Sequence, residues 1–145
     1  MNNLVLVLLV ACGGLAVAMQ PSINARLARN IGNFESSLVS FAVGTLALLV
    51  VVLIFGRGNM RGVAAASWWE LTGGFLGAYF VTMTIIAVPR LGTAAVMAIA
   101  IAGQLIAGAL LDQYGAFGLR QIPLTPLRGV GIMLLCLGAS LVIRR

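Results

Sequence analysis

Five apolar runs decide what this chain can fold into: Leu4–Met19, Leu38–Phe55, Trp68–Val88, Thr93–Leu111 and Leu127–Ile143. Each is long enough, or nearly so, to cross about 30 Å of hydrocarbon at about 1.5 Å per residue. Backbone polar groups have no water to bond inside a bilayer, so each run must close its hydrogen bonds internally as a helix. The alternating pattern of a β-barrel strand is absent. A soluble core has no use for a chain that is 61% hydrophobic and 8% charged, because most of a soluble surface must be polar. The expected fold is an all-α polytopic membrane protein with five transmembrane helices in one membrane domain, residues 1–145. The helices are expected over about 3–20, with a polar extension to 30, then 36–56, 67–88, 92–111 and 126–143. Gly56–Gly62 (GRGNMRG) and Val88–Gly92 (VPRLG) are turn-rich breaks, and Pro89 is expected to stop the third helix.

Charge excludes several functions. The nine basic residues are all arginine, against Glu35, Glu70 and Asp112. They fall between the apolar runs, where they read as headgroup anchors. No basic face interleaved with aromatics appears, so nucleic-acid binding is excluded. Cys12 and Cys136 each lie inside an apolar run and read as small packing residues. With no histidine in the chain, a metal or haem cofactor is not expected. No catalytic residues are expected either, because no Ser/His/Asp set, nucleotide loop or carboxylate pair occurs. The Ala16–Ala18 triplet imitates a signal-peptide cleavage site. The segment before it has no charged side chain and the run is long for a signal, so the first helix is expected to stay.

Orientation is informative. With five spans, one face carries Arg57, Arg61, Arg120 and Arg128, and the other carries Arg26, Arg29, Arg90, Arg144 and Arg145. Four against five gives the positive-inside rule almost nothing to act on. Either a weak bias is rescued by the insertion machinery, or copies insert both ways and pair antiparallel. The second reading is preferred here.

Polar residues inside the runs are the candidate site. Gln104 sits midway along the fourth run, and an amide there needs partners that lipid cannot supply. Gly108 and Asp112 follow at i+4 and i+8, close to one stripe. Gln104 either cross-links helices or faces a polar cavity. Tyr79 lies deep enough that its hydroxyl needs a partner, and Ser40, Gly44 and Thr45 give the second helix a modest polar face. Small residues let helices approach closely in lipid: Gly73 and Gly77 form a G-x-x-x-G pair, and Gly103 and Gly108 extend a small-residue band on the fourth helix. The segment MQPSINARLAR (Met19–Arg29) places Gln20 and Asn24 one turn apart on either side of Pro21. Pro21 has no N–H and clashes with the Val17 carbonyl, so the helix is expected to kink or end there. Such a helix break is either an amphipathic exit from the membrane or a lining of a cavity.

Three segments together resemble a known family: MQPSINARLAR, VPRLGTAAVMAIAIAGQLIAGALLDQYG (Val88–Gly115) and the closing LRGVGIMLLCLGASLVIRR. They are similar to the YdcZ-like small exporters of the bacterial inner membrane, grouped with the drug/metabolite transporter superfamily. The most specific parts are Gln20, Pro21, Asn24 and Leu27, and the series Gly103, Gln104, Asp112 and Gly115. The resemblance implies secondary transport. Larger superfamily members resemble two five-helix halves in inverted repeat, so this chain is similar to one half, completed by an antiparallel homodimer or by a homologous partner subunit. It implies a small-molecule solute as partner besides membrane lipid, bound by Gln20, Asn24 and Gln104 with Ser40 and Tyr79 nearby. Glu35 or Asp112 would serve any coupling ion. The related four-helix multidrug transporters keep a glutamate in their first helix. Here that helix offers Cys12, Gly13 and Gly14, so the same proton–cation exchange is not expected. A non-transporting scaffold that pairs with other membrane helices is the alternative.

Overall fold

The computed structural model describes residues 2–144. Five helices are long and apolar enough to cross a membrane, and no strand occurs among the described residues. The chain forms two compact units, one ending at Arg90 and one beginning at Leu91. The first holds α1 (Asn3–Ile31), α2 (Asn33–Phe55) and nearly all of α3 (Gly73–Leu91), with short 3-10 segments at Met60–Ala65 and Trp68–Thr72. The second holds α4 (Thr93–Tyr114), a 3-10 turn at Ala116–Gly118 and α5 (Pro126–Ile143). Arg145, one of the arginines in the charge balance, lies outside the described residues.

Of the two outcomes expected at Pro21, a kink or an end, helix α1 does not take the second. It runs unbroken through Pro21 to Ile31, so the segment after the proline is a further stretch of helix and not an extension outside it. Pro21 forgoes one intrahelical bond. Packing offsets that loss, because Pro21, Asn24 and Ala25 are buried where α1 lies against α2. The expected connection 20–37 shrinks to one residue, Gly32, with φ 103° and ψ 159°. Only glycine adopts that region readily. Its N–H donates to the Ala28 carbonyl at 2.9 Å and its own carbonyl accepts from Ser36 N at 3.0 Å, so both helix ends are capped through one residue. Pro89 likewise does not stop α3, which continues to Leu91. The stop is Gly92, with φ 85° and ψ 153°.

Small and hydroxylated residues hold the first unit together. Gly77 lets α3 approach α2 so closely that a Cβ there would lie 3.3 Å from Phe41 Cζ. Thr82 Oγ1 donates to Ser37 Oγ at 2.9 Å, and Ser37 Oγ donates to the Asn33 carbonyl at 3.0 Å. Ile85 and Ser36 are fully buried. Of the other expected packing glycines, Gly73, Gly103 and Gly108 would bring an added Cβ within 4 Å of nothing; their faces are open in the single chain. In the second unit α4 packs on α5. The 112–126 segment is tied down by Ile122 N to the Asp112 carbonyl at 2.8 Å and Leu124 N to Gln113 Oε1 at 2.6 Å. Thr125 caps α5 through the Arg128 N–H.

Most large apolar side chains point outward: Leu53 is 76% exposed and Leu127 82%. This inverts the soluble pattern. Lipid tails are as apolar as leucine, so helices in a bilayer gain little by hiding such side chains and associate through close packing and polar contacts.

Candidate functional site

Gln20 and Asn24 are one helical turn apart and project from the same side of α1. Both reach Ser40 of α2: Gln20 Nε2 donates to Ser40 Oγ at 3.2 Å and Asn24 Nδ2 donates to it at 3.0 Å. Ser36, one turn before Ser40, donates to the Asn24 backbone carbonyl at 2.8 Å. The α1–α2 seam is thus a ladder in which two serines at i and i+4 meet one asparagine through its backbone and its side chain. Asn24 is 7% exposed. Gln20 and Ser40 are half-buried, and they open on a recess of about 190 Å³ that continues along α2 past Phe41, Gly44 and Thr45. Ser40 Oγ spends its acceptor capacity on the two amides, and its own O–H remains a donor. The cluster can therefore offer both donor and acceptor groups to a polar solute in an otherwise apolar wall.

The second unit has its own cavity, of about 370 Å³, between α4 and α5. Gln104, Gly108 and Asp112 line it along α4, and Arg128, Gly131 and Ile132 along α5. The i, i+4, i+8 stripe extends about 12 Å along the helix axis, with the amide at one end and the carboxylate at the other. Asp112 Oδ2 pairs with Arg128 Nη2 at 2.5 Å, each side chain 37% exposed. Arg128 Nη1 also donates to the carbonyls of Ile122 and Pro123, at 3.2 and 3.4 Å. Asp112 stands in the last turn of α4 and Arg128 in the first turn of α5. A carboxylate is disfavoured at the negative end of a helix dipole and a guanidinium at the positive end. Each charge thus sits where its own helix opposes it, and the partner charge compensates.

The sequence-derived residues therefore divide. Gln20, Asn24 and Ser40 come together in the first unit, while Gln104 and Asp112 share the cavity of the second. Tyr79 belongs to the first unit but is 63% exposed and does not line the Ser40 recess. Glu35 is exposed in the first turn of α2, its carboxylate lying over Gly32, where the positive end of the helix dipole favours it. It forms no salt bridge with Arg26 or Arg29 among the described residues. Sequence reasoning missed Ser36 and Arg128 as site-forming groups. The i, i+4 spacing of Ser36 and Ser40 was the available signal for Ser36.

Comparison with known proteins agrees with an inner-membrane protein. A family model described as "Putative inner membrane exporter, YdcZ" matches residues 5–141. The chain is 32% identical over 150 residues to the inner membrane protein YdcZ of Escherichia coli (strain K12), covering 99% of this chain and 97% of that protein. No solved structure matches.

Proposed function

The chain belongs to the YdcZ family of inner membrane exporters, and from that premise we propose that it moves a small polar solute by alternating access, as an antiparallel pair of identical subunits. It is a multi-pass inner-membrane protein, of a family of exporters and not of enzymes. The observation that carries the reading is the Gln20–Asn24–Ser40 cluster opening on a recess. Buried amides and hydroxyls at the edge of a membrane-spanning wall are costly unless they are used, and here one edge of the cluster stays open. Gln104 supplies a further amide at the α4–α5 cavity. The nearly even arginine balance supports insertion in both orientations, and an odd number of spans lets two inverted copies form the halves of one transporter. A coupling ion would act at Asp112, which faces Arg128, or at Glu35. Solute flux into proteoliposomes tests the site. Gln20→Ala and Gln104→Ala are expected to slow transport of the responding solute, and rates equal to the unsubstituted protein across a broad solute panel would remove the proposed site.

A second reading is a scaffold that does not transport. It is favoured by the open faces at Gly44, Gly103, Gly129 and Gly138, where nothing lies within 4 Å of a Cβ position and another helix could pack. A scaffold would adopt a single orientation, which separates it from the antiparallel transporter.

A further inference from the structure

A second face of α1, not used by the amide cluster, frames a different pocket. Ser22, Ala25, Arg26 and Arg29 recur at helical spacing and, with Val88 and Pro89 of α3, line an open recess of about 380 Å³ within the first unit. No acidic residue lines this pocket. Among the described residues neither arginine forms a salt bridge, and the one pair present is Arg128 with Asp112. Glu35, on the same end of the unit, keeps its carboxylate over Gly32. Two guanidiniums thus share a recess with an apolar wall and no counter-charge.

The length of α1 points to what fills it. Helix α1 has 29 residues and is about 43 Å long at about 1.5 Å per residue, against about 30 Å of hydrocarbon. If Asn3 marks one boundary, the other is crossed near Ser22. Arg26 then lies about 6 Å beyond it, within the headgroup layer, and Arg29 about 10 Å beyond it, from where its long side chain reaches back toward the lipid phosphates. We infer that the Ser22–Arg29 face of α1 and the Val88–Pro89 end of α3 form a binding site for the phosphate of an anionic glycerophospholipid. The planar guanidinium forks match phosphate oxygens, and Val88 and Pro89 give the glycerol and upper acyl chain an apolar contact. A zwitterionic headgroup brings an ammonium for which the pocket has no carboxylate, so the site discriminates by net charge.

Native mass spectrometry of the purified protein tests this. It is titrated with phosphatidylglycerol, with phosphatidylcholine of the same acyl chains, and with inorganic phosphate. Two interfacial cations are worth about thirtyfold in anionic-lipid binding. Phosphatidylglycerol is expected to bind at least about tenfold better than phosphatidylcholine, and Arg26→Gln/Arg29→Gln to remove the preference. Arg26→Lys/Arg29→Lys should keep most of it, which separates lost charge from lost fold, and Arg57→Gln/Arg61→Gln should leave it unchanged. Equal binding of the two lipids overturns the inference. So does an equal loss in the Arg57/Arg61 variant, which would mean general attraction only. Displacement of the lipid by equimolar inorganic phosphate overturns it too, because the site would then belong to a soluble anion.

Discussion

Replacing Ser40 by alanine should cost more than its one hydroxyl suggests. Ser40 Oγ accepts from Gln20 at 3.2 Å and from Asn24 at 3.0 Å, so one deletion removes two interhelical bonds. Side-chain hydrogen bonds in membranes average about 0.6 kcal/mol, giving about 1.2 kcal/mol for the pair. Asn24 is then stranded at 7% exposure, and an unsatisfied buried amide adds about 1 kcal/mol at the low end of the usual range. The sum is about 2 kcal/mol. Gln20→Ala should cost only about 0.6 kcal/mol, since Ser40 keeps Asn24 and no buried group is orphaned. Asn24→Ala should fall between them. Reversible unfolding in mixed micelles gives the three values, and a double-mutant cycle isolates the Asn24–Ser40 coupling. A Gln20→Ala cost as large as that of Ser40→Ala, or zero coupling between Asn24 and Ser40, would refute the shared-acceptor reasoning.

Other substitutions probe the turns, the close approach and the charge pair, with the same unfolding assay as the check. Gly32→Ala should destabilise by about 1–3 kcal/mol, because φ 103° is strained for any Cβ and that carbon would meet the Glu35 carboxylate. Gly77→Leu, facing Phe41 at 3.3 Å from the Cβ position, should cost about 1–3 kcal/mol by overpacking. Asp112→Asn should cost about 1 kcal/mol or less, because its pair with Arg128 is over a third exposed. Arg128→Gln should cost more, since it also gives up the Ile122 and Pro123 carbonyls. The exchanged pair Asp112→Arg/Arg128→Asp should recover stability relative to either single change, because both charges would then suit their helix ends.

Hydropathy alone makes the five spans legible, because a run of about 20 apolar residues has few alternatives to a membrane helix. The helix ends are less so. Pro21 and Pro89 are breakers by local chemistry, yet α1 and α3 run through them. In α1 the burial of Asn24 and Ala25 outweighs the lost bond, which is a tertiary effect that no local rule contains. The true stops are Gly32 and Gly92, whose positive φ depends on the turn around them. Within the candidate site, the Gln20–Asn24 and Gln104–Asp112 spacings are visible as helical stripes. The partners are not: Ser40 meets Asn24 across 16 residues and Arg128 meets Asp112 across 16, and only folding selects them from the other hydroxyls and arginines. Tyr79, expected to find a partner because of its depth, is mostly exposed, since position along a helix does not say which side a residue faces.

Orientation is the most direct test of the antiparallel transporter. A cysteine appended at the C-terminus of a variant lacking Cys12 and Cys136 can be labelled in intact cells with a reagent that does not cross the membrane. With copies inserted both ways, about half of them are expected to react, in keeping with the four-against-five arginine balance. Labelling of all copies, or of none, would contradict it.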